Sequence, residues 1–376
     1  MPNNEGQPQG LVRTMIILVV PLMLCADVDT RIENSNFTLH PKESTYNYNR
    51  LRLRSDCTQG NFFGTLIGDG VNYYGKSFTD SVDFGYLKAQ HADTPFQTQT
   101  PFKNYGDGQA YAKLYRLYGG YEDEQNRVVI GLQNIAMGVG RIWTPTNIFN
   151  PKNSYALEPD ETFGVAAISY TRHLNGMSDL TIVSSQKEDE SFKSALRYKA
   201  FVDVADIAVN LITSDDTHVI GYEIEGNLGD TGVEVRSEGA YIEHELTTDT
   251  AKFTQMIIGA DYGFENGVTL IGELLYSSKT FERNQLLFNL QSDILGNMVT
   301  SNAYGAVSLS KSFTIFLDGS VSCISSVDTP DTQFLSAALN YTLNDYHTFT
   351  LGALLYEGKQ FEGMGDTVYL RYGVSF

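Results

Sequence analysis

Apolar and polar residues alternate through most of this chain, in segments of roughly 10 to 15 residues separated by short stretches of Gly, Asn, Asp and Ser. For example, Ile220, Tyr222 and Ile224 alternate with Glu223 and Glu225. A period of two residues is that of a β-strand, whose successive side chains point to opposite faces of a sheet. The pattern therefore predicts an all-β fold built of antiparallel strands.

The lengths of the segments and connections distinguish a membrane barrel from a soluble sandwich, in which strands also alternate. Segments of about 10 residues or more suit tilted transmembrane strands. The connections alternate between short turns and longer loops, which is typical of outer-membrane barrels. Longer loops are predicted at 76–108, 141–161, 247–251, 281–301 and 328–332.

The strand count follows from reading this pattern to the C-terminus. Seventeen strands are readable from residue 46 onward, and bacterial single-chain barrels normally have an even number. The segment 30–40 is a weaker candidate for one more strand. We therefore expect an all-β, transmembrane, antiparallel up-and-down β-barrel of about 18 strands, with 16 the next alternative.

Composition and charge agree with a barrel that is apolar outside and wet inside. Tyr (23) and Phe (21) are abundant in the 376 residues, yet mean hydropathy is slightly negative at -0.21. The net charge of -19 argues against nucleic acid as a partner, because phosphate binding requires a basic face.

The N-terminus has the pattern of a secretory signal. Residues 15–26 form an apolar run that follows Arg13 and ends at Ala26, and such a run is too short to span a membrane as a helix. The sequence thus predicts a signal peptide over 1–26 and a single barrel domain over 27–376.

The last strand carries a second targeting feature. Apolar and aromatic residues occupy every second position up to the C-terminal residue: Val368, Leu370, Tyr372, Val374 and Phe376. This resembles the C-terminal insertion strand of Gram-negative outer-membrane proteins. The resemblance implies localisation in the cell outer membrane, with barrel-assembly machinery, outer-membrane lipid and lipopolysaccharide as partners. A homo-oligomer is possible, and the pattern leaves it open.

One stretch interrupts the alternation after a strand predicted over 126–140. Residues 138–151 read GVGRIWTPTNIFNP, which resembles the GxGRxWxPTDxFNP loop of a porin-like family of unassigned function. Asn147 stands where that loop has an acidic residue. We expect the stretch to fold inward as a constriction loop, with Trp143 in a girdle at the lipid interface as the alternative. The constriction residues would be Arg141, Trp143, Phe149 and Lys152.

Charged side chains of the strands are expected to face the lumen, because an Arg or Lys facing lipid at mid-depth costs about 2–4 kcal/mol. The basic candidates are Arg50, Arg52, Arg54, Lys193, Arg197 and Lys199. The acidic candidates are Glu223, Glu225, Glu234, Glu238 and Glu273. These charges either line an open channel or fill the lumen as salt bridges.

The function predicted is passive diffusion of small polar solutes through a charged lumen. No catalytic residue is expected, because no histidine lies in a strand with a serine at a spacing that suggests a dyad. No cofactor or metal site is expected either. Two alternatives stay open: an outer-membrane enzyme or structural barrel with a filled lumen, and a secreted or periplasmic soluble β protein that binds a ligand.

Overall fold

The structure is a computed structural model, and it describes residues 27–41, 45–246, 250–328, 332–362 and 364–376. The predicted signal peptide over 1–26 lies outside the described residues. Within them, no helix is long and apolar enough to cross a membrane.

Nineteen strands follow one another along the described chain. The first ten are β1 (Asp27–Pro41), β2 (Tyr46–Gln59), β3 (Phe62–Tyr74), β4 (Lys103–Tyr105), β5 (Gly108–Glu122), β6 (Asn126–Gln133), β7 (Val165–Asn175), β8 (Ser178–Gln186), β9 (Phe192–Val202) and β10 (Ala205–Thr213). The others are β11 (Thr217–Asn227), β12 (Val233–Glu245), β13 (Thr250–Gly263), β14 (Val268–Ser277), β15 (Ala303–Ser312), β16 (Leu317–Ser326), β17 (Gln333–Asn344), β18 (His347–Glu357) and β19 (Thr367–Ser375).

Eighteen of these strands form a closed barrel. Each pairs antiparallel with its neighbours in sequence, and β19 pairs with β1 to close the ring. The short β4 lies outside the ring, because β3 pairs directly with β5. The prediction of an 18-stranded up-and-down barrel is confirmed, and the weak candidate at 30–40 is β1. Closure leaves no sheet edge facing lipid.

Alternation gives the barrel its two faces. Leu51 and Leu53 of β2 point outward and are about half exposed, whereas Arg50, the residue before Leu51, points inward and is buried. The same arrangement recurs in β18 and β19, where Leu351 and Leu370 point outward. An apolar outer surface and a charged interior are the pattern that a lipid bilayer requires.

Three long loops lie at one rim of the barrel, opposite the rim of short turns: 75–107, 134–164 and 278–302. The first contains α1 (Lys76–Thr79) and α2 (Val82–Ala89), and the last contains α3 (Arg283–Phe288). The sequence pattern predicted long loops in these regions.

Candidate functional site: the barrel lumen

Loop 134–164 leaves the sheet earlier than the sequence suggested. β6 ends at Gln133 and not near residue 140. The Ile135 amide donates a hydrogen bond to Asn150 Oδ1 at 2.6 Å, so this backbone is paired within the loop instead of with β7. Asn147 Nδ2 also donates to the Asn150 carbonyl at 2.9 Å. These two asparagines give the loop an internal scaffold.

The loop runs into the lumen along a row of carboxylates that we call the acidic wall. It is formed by inward side chains of β11–β14: Glu223, Glu225, Glu234, Glu238, Asp261 and Glu273. The Glu238 carboxylate accepts hydrogen bonds from the amides of Val139 (2.8 Å), Gly140 (3.1 Å) and Thr146 (2.7 Å). The Glu273 carboxylate accepts from the Trp143 amide at 2.8 Å. Loop backbone is therefore bound directly to the barrel wall.

The two glycines of the GVGR stretch make this contact possible. Gly138 has φ +91°, which favours glycine, and a Cβ there would lie 2.5 Å from the Glu238 carboxylate. A Cβ on Gly140 would overlap the carbonyl oxygen of Trp143. The motif thus permits close approach of the backbone to a buried carboxylate.

Arg141 places its guanidinium among the remaining carboxylates of the acidic wall. Arg141 Nη2 lies 3.0 Å from Glu225 Oε1 and also pairs with Glu234, and Arg141 Nε lies 3.1 Å from Asp261 Oδ2. The Arg141 side chain is 40% exposed, so this cluster is in contact with solvent inside the barrel.

Apolar side chains of the loop pack inside the barrel. Trp143 is 8% exposed, and its ring lies 6.0 Å from that of Tyr304 on the inner face of β15. Ile148 and Phe149 are buried in a cluster with inward residues of β7–β13. These placements put Trp143 in the lumen and away from the lipid-facing girdle.

The other half of the loop reaches the opposite side of the ring. β12 is nine strands from β2 in either direction around the barrel, so the two strands face each other across the lumen. Arg50 of β2 makes a bidentate pair with Glu158 (2.9 and 3.0 Å). Arg52 makes a second bidentate pair with Glu161 (2.9 and 3.0 Å). Loop 134–164 therefore bridges the lumen.

Further cations of β5 lie beside these pairs, and together with Arg50 and Arg52 they form what we call the basic wall. The Arg52 guanidinium carbon lies 4.1 Å from the centroid of the Tyr115 ring. The Arg116 guanidinium carbon and Lys113 Nζ lie 4.0 and 4.8 Å from the same centroid. Burial alone would raise the pKa of the Glu161 carboxyl, but the hydrogen bond from Arg52 and the positive charges of Arg50, Arg52 and Lys113 together lower this pKa. Glu161 is therefore held as a carboxylate.

The second predicted basic strand, β9, has a different position. β9 is two strands from β11, next to the acidic wall. Arg197 pairs with Glu223 at 2.6 Å, and Lys199 pairs with Asp206 at 3.1 Å. The cations of β9 are consequently neutralised by their neighbours on the same side of the barrel.

Lys193 of β9 binds both lumen loops at the outer rim. Its Nζ donates to the carbonyl of Ile148 at 3.0 Å and to Asp293 of loop 278–302 at 2.9 Å. Asn297 of the same loop donates to the carbonyl of Pro145 at 3.0 Å. Loops 134–164 and 278–302 therefore form one body inside the barrel.

The other predicted residues lie away from these contacts. Arg54 pairs with Asp56 beside the short-turn rim, and Lys152 pairs with Asp160 within loop 134–164 at 2.9 Å, where both are exposed. The C-terminal residues of the proposed insertion strand point outward or lie at the rim: Val368, Leu370, Tyr372, Val374 and Phe376.

Sequence reasoning missed several partners of the predicted charges. Asp69 lies between two glycines and on the same face of β3 as Ile67 and Val71, so alternation did not mark it; it binds Arg52 at 2.7 Å. Glu158, Glu161 and Asp293 lie in loops without periodicity, so no pattern marked them.

A closed barrel of 18 strands, apolar outside and charged inside, with loops folded into its lumen, defines a porin-like outer-membrane barrel. The fold is similar to Pseudomonas aeruginosa OccD3 (OpdP), with a TM-score of 0.61 and 11% identity over 94% of this chain and 92% of that chain. It is also similar to OccK5 (OpdH) of the same organism, with a TM-score of 0.59 and 10% identity over 94% of this chain and 98% of that chain. The outer membrane protein OpdK of P. aeruginosa is similar as well, with a TM-score of 0.58 and 9% identity over 94% of this chain and 100% of that chain. No family model and no curated protein matches the sequence.

Proposed function

We propose that this protein is an outer-membrane channel through which small polar solutes diffuse passively. The observation that carries the proposal is the closed 18-stranded ring with opposed acidic and basic walls. Barrels of 16 to 18 strands are wide enough for an aqueous bore. Opposed charges produce a transverse field that orients polar solutes.

Loop 134–164 is the constriction of this channel in our proposal. Its support is the chain of contacts from Glu238 and Glu273 on one wall to Arg50 and Arg52 on the other. The exposed guanidinium of Arg141 would then be among the charges nearest to a passing solute. Gly138 and Gly140 position that guanidinium, because they let the backbone dock on the wall.

The test is conductance in a planar bilayer, with protein refolded into detergent and checked for β-sheet circular dichroism. A channel gives stepwise current increments in KCl. A folded barrel that inserts and gives no current would contradict the proposal and favour a filled structural barrel. Extraction from an outer-membrane fraction only with detergent would separate both from a soluble secreted protein. The same preparation would show whether a homo-oligomer forms and whether lipopolysaccharide copurifies.

A further inference from the structure

A third part of the lumen wall is lined mainly by uncharged polar side chains. The strands β15–β18 lie between the acidic wall and the basic wall around the ring. Their outward positions are apolar, as at Val307, Val321 and Leu339. Their inward positions on the short-turn side of the barrel carry small hydroxyl groups: Ser308, Ser310, Ser312, Ser320, Ser322 and Ser336. We call this surface the hydroxyl wall.

The register of the strands makes the hydroxyls contiguous. Ser322 is the direct cross-strand partner of Ser308 on one side and of Ser336 on the other. Ser310 and Ser320 are partners in the next row. Directly opposite side chains on one face of antiparallel strands lie about 4.5–5.5 Å apart. The serines therefore form a continuous surface of hydroxyl groups across three strands.

The row nearest the short-turn rim continues this surface with larger polar groups. Asn340 Nδ2 donates to Asp318 Oδ2 at 2.8 Å, and Thr350 Oγ1 donates to Asn340 Oδ1 at 2.7 Å. This network fixes the orientation of the amide and uses one carboxylate oxygen of Asp318.

The hydroxyl wall is open where the charged walls are occupied. Ser310 and Ser320 are exposed although they point inward, whereas Glu238 of the acidic wall is 0% exposed, and Arg236 of β12, which pairs with Asp261 and Glu273, is 2% exposed. Among the residues that the structure describes, no side-chain hydrogen bond involves the hydroxyl of Ser308, Ser322 or Ser336. These short side chains are exposed or partly exposed, and they leave room for a solute.

We propose that this wall is a contact surface for uncharged, polyhydroxylated solutes, the class of sugars and polyols. The inference rests on the proposed channel function. A hydroxyl both donates and accepts hydrogen bonds, so an array of serines matches an array of solute hydroxyls. Loop amides and the guanidinium groups of Arg141 and Arg236 occupy carboxylates of the acidic wall, and Glu158 and Glu161 pair with Arg50 and Arg52. A charged solute must therefore compete with existing ion pairs on the charged walls, whereas a neutral polyol meets the hydroxyl groups directly.

The experiment compares solutes of similar size in proteoliposome swelling: a hexose, the corresponding hexuronate and a zwitterionic amino acid. We expect the hexose to enter several-fold faster than either charged solute. In the triple variant Ser308→Ala, Ser322→Ala and Ser336→Ala, hexose entry should fall several-fold while KCl conductance per channel is unchanged. Equal entry of the three solutes, or hexose entry unaffected by the triple variant, would overturn the inference.

A pair of neighbouring substitutions provides a control for side-chain direction. Ser336→Leu fills space in the lumen and should slow hexose entry, whereas Ala337→Leu lies on the lipid face and should not. The same effect from both variants would contradict the assignment of this wall to the solute path. Absence of KCl conductance in the unaltered protein would reject the channel itself, whereas conductance without hexose preference rejects only this inference.

Discussion

The two ends of loop 134–164 are attached to the barrel by opposite chemistry. At the acidic wall, the donors are backbone amides of the loop and the acceptors are Glu238 and Glu273 of the strands. At the basic wall, the loop supplies the carboxylates and the strand supplies the guanidinium groups of Arg50 and Arg52. A backbone amide is kept when the side chain of its residue is substituted, unless proline is introduced. A side-chain carboxylate is lost when its residue is substituted.

This difference assigns two roles to the two ends of the loop: one holds the loop in place, and the other sets the ion selectivity of the channel. The acidic end depends on the wall residues and on the glycines that allow the close approach. The basic end depends on two side-chain pairs, and each pair is lost when either partner is neutralised. Buried ion pairs of this kind add little net stability, because desolvation offsets the attraction. We therefore expect the acidic end to determine whether the loop is seated, and the basic end to determine the charge that a solute encounters.

Removal of the whole loop should have the largest effect. Replacement of 138–161 by a short Gly-Ser linker removes both attachments and the apolar body around Trp143, so single-channel conductance in KCl should rise severalfold. Measurement in a planar bilayer, with circular dichroism to verify the barrel, tests this. Conductance equal to that of the unaltered protein would show that the loop is not the constriction.

Substitution of Glu238 should have the largest effect of any single change at the acidic end. In Glu238→Gln one acceptor oxygen becomes a donor, so buried amides lose their partner and stability should fall by roughly 2–4 kcal/mol. Equilibrium urea unfolding in detergent measures the loss. Glu234→Gln is the matched control, because the Glu234 side chain is 36% exposed and pairs at the solvent-accessible cluster; its cost should be below about 1 kcal/mol. Equal losses of unfolding free energy in the two variants would contradict the conclusion that Glu238 holds the loop and Glu234 does not.

Ion selectivity should respond most to the basic end. Arg50→Gln with Arg52→Gln leaves Glu158 and Glu161 unpaired and should shift the reversal potential in a KCl gradient toward cations. Glu158→Gln with Glu161→Gln should shift it toward anions.

The cations of β9 provide the comparison for this shift. Arg197→Gln with Lys199→Gln also removes two positive charges, but the Glu223 carboxylate keeps Asn210 and the Gly138 amide as donors. We expect a cation shift of the same sign but smaller than that of the β2 pair. Unchanged reversal potentials in the β2 variants would reject their assignment to the pore.

A pH effect at the outer rim should be the smallest of these. His91 Nε2 of loop 75–107 lies 2.9 Å from Glu188 Oε2. Burial alone would lower the pKa of His91, but the hydrogen bond and charge of Glu188, together with the Ala89 carbonyl and the charge of Asp93, outweigh burial and raise this pKa. The stabilisation is complete below the ordinary value of about 6.5 and is lost as pH rises through the raised pKa.

The pair is partly exposed, so its contribution should be below about 1 kcal/mol. Unfolding midpoints of the unaltered protein and His91→Gln, compared near pH 5.5 and near pH 8.5 on either side of that pKa, measure it. The two proteins should differ at the lower pH and converge at the higher one. The same difference at both values would contradict the ion pair.

The barrel was predictable because one local rule applies to every strand. Alternation in 220–225 assigns a lipid face and a lumen face without knowledge of any partner, and the closed ring follows from the number of such strands. The direction of Arg50 and Glu238 was readable in the same way. The rule does not cover loops: nothing periodic marks Glu158 or Glu161 as partners of β2.

Two further features show where the pattern was readable but incompletely used. Serines occupy every second position of 308–312 and of 320–322, where they alternate with Val307, Leu309 and Val321, yet a search for charged side chains passes over them. The end of β6 at Gln133 was not predictable from alternation, because it depends on the hydrogen bond between Ile135 and Asn150.

The bridge across the lumen also determines when it can form during folding. The Arg50–Glu158 pair joins residues 108 apart in sequence, and the hydrogen bond from Trp143 to Glu273 spans 130. Contacts this distant form late, because the entropy of closing the chain opposes them until the intervening strands are in place. Trp143 is the only tryptophan of the chain. Its fluorescence during refolding therefore reports seating of the loop separately from assembly of the strands, with no label added.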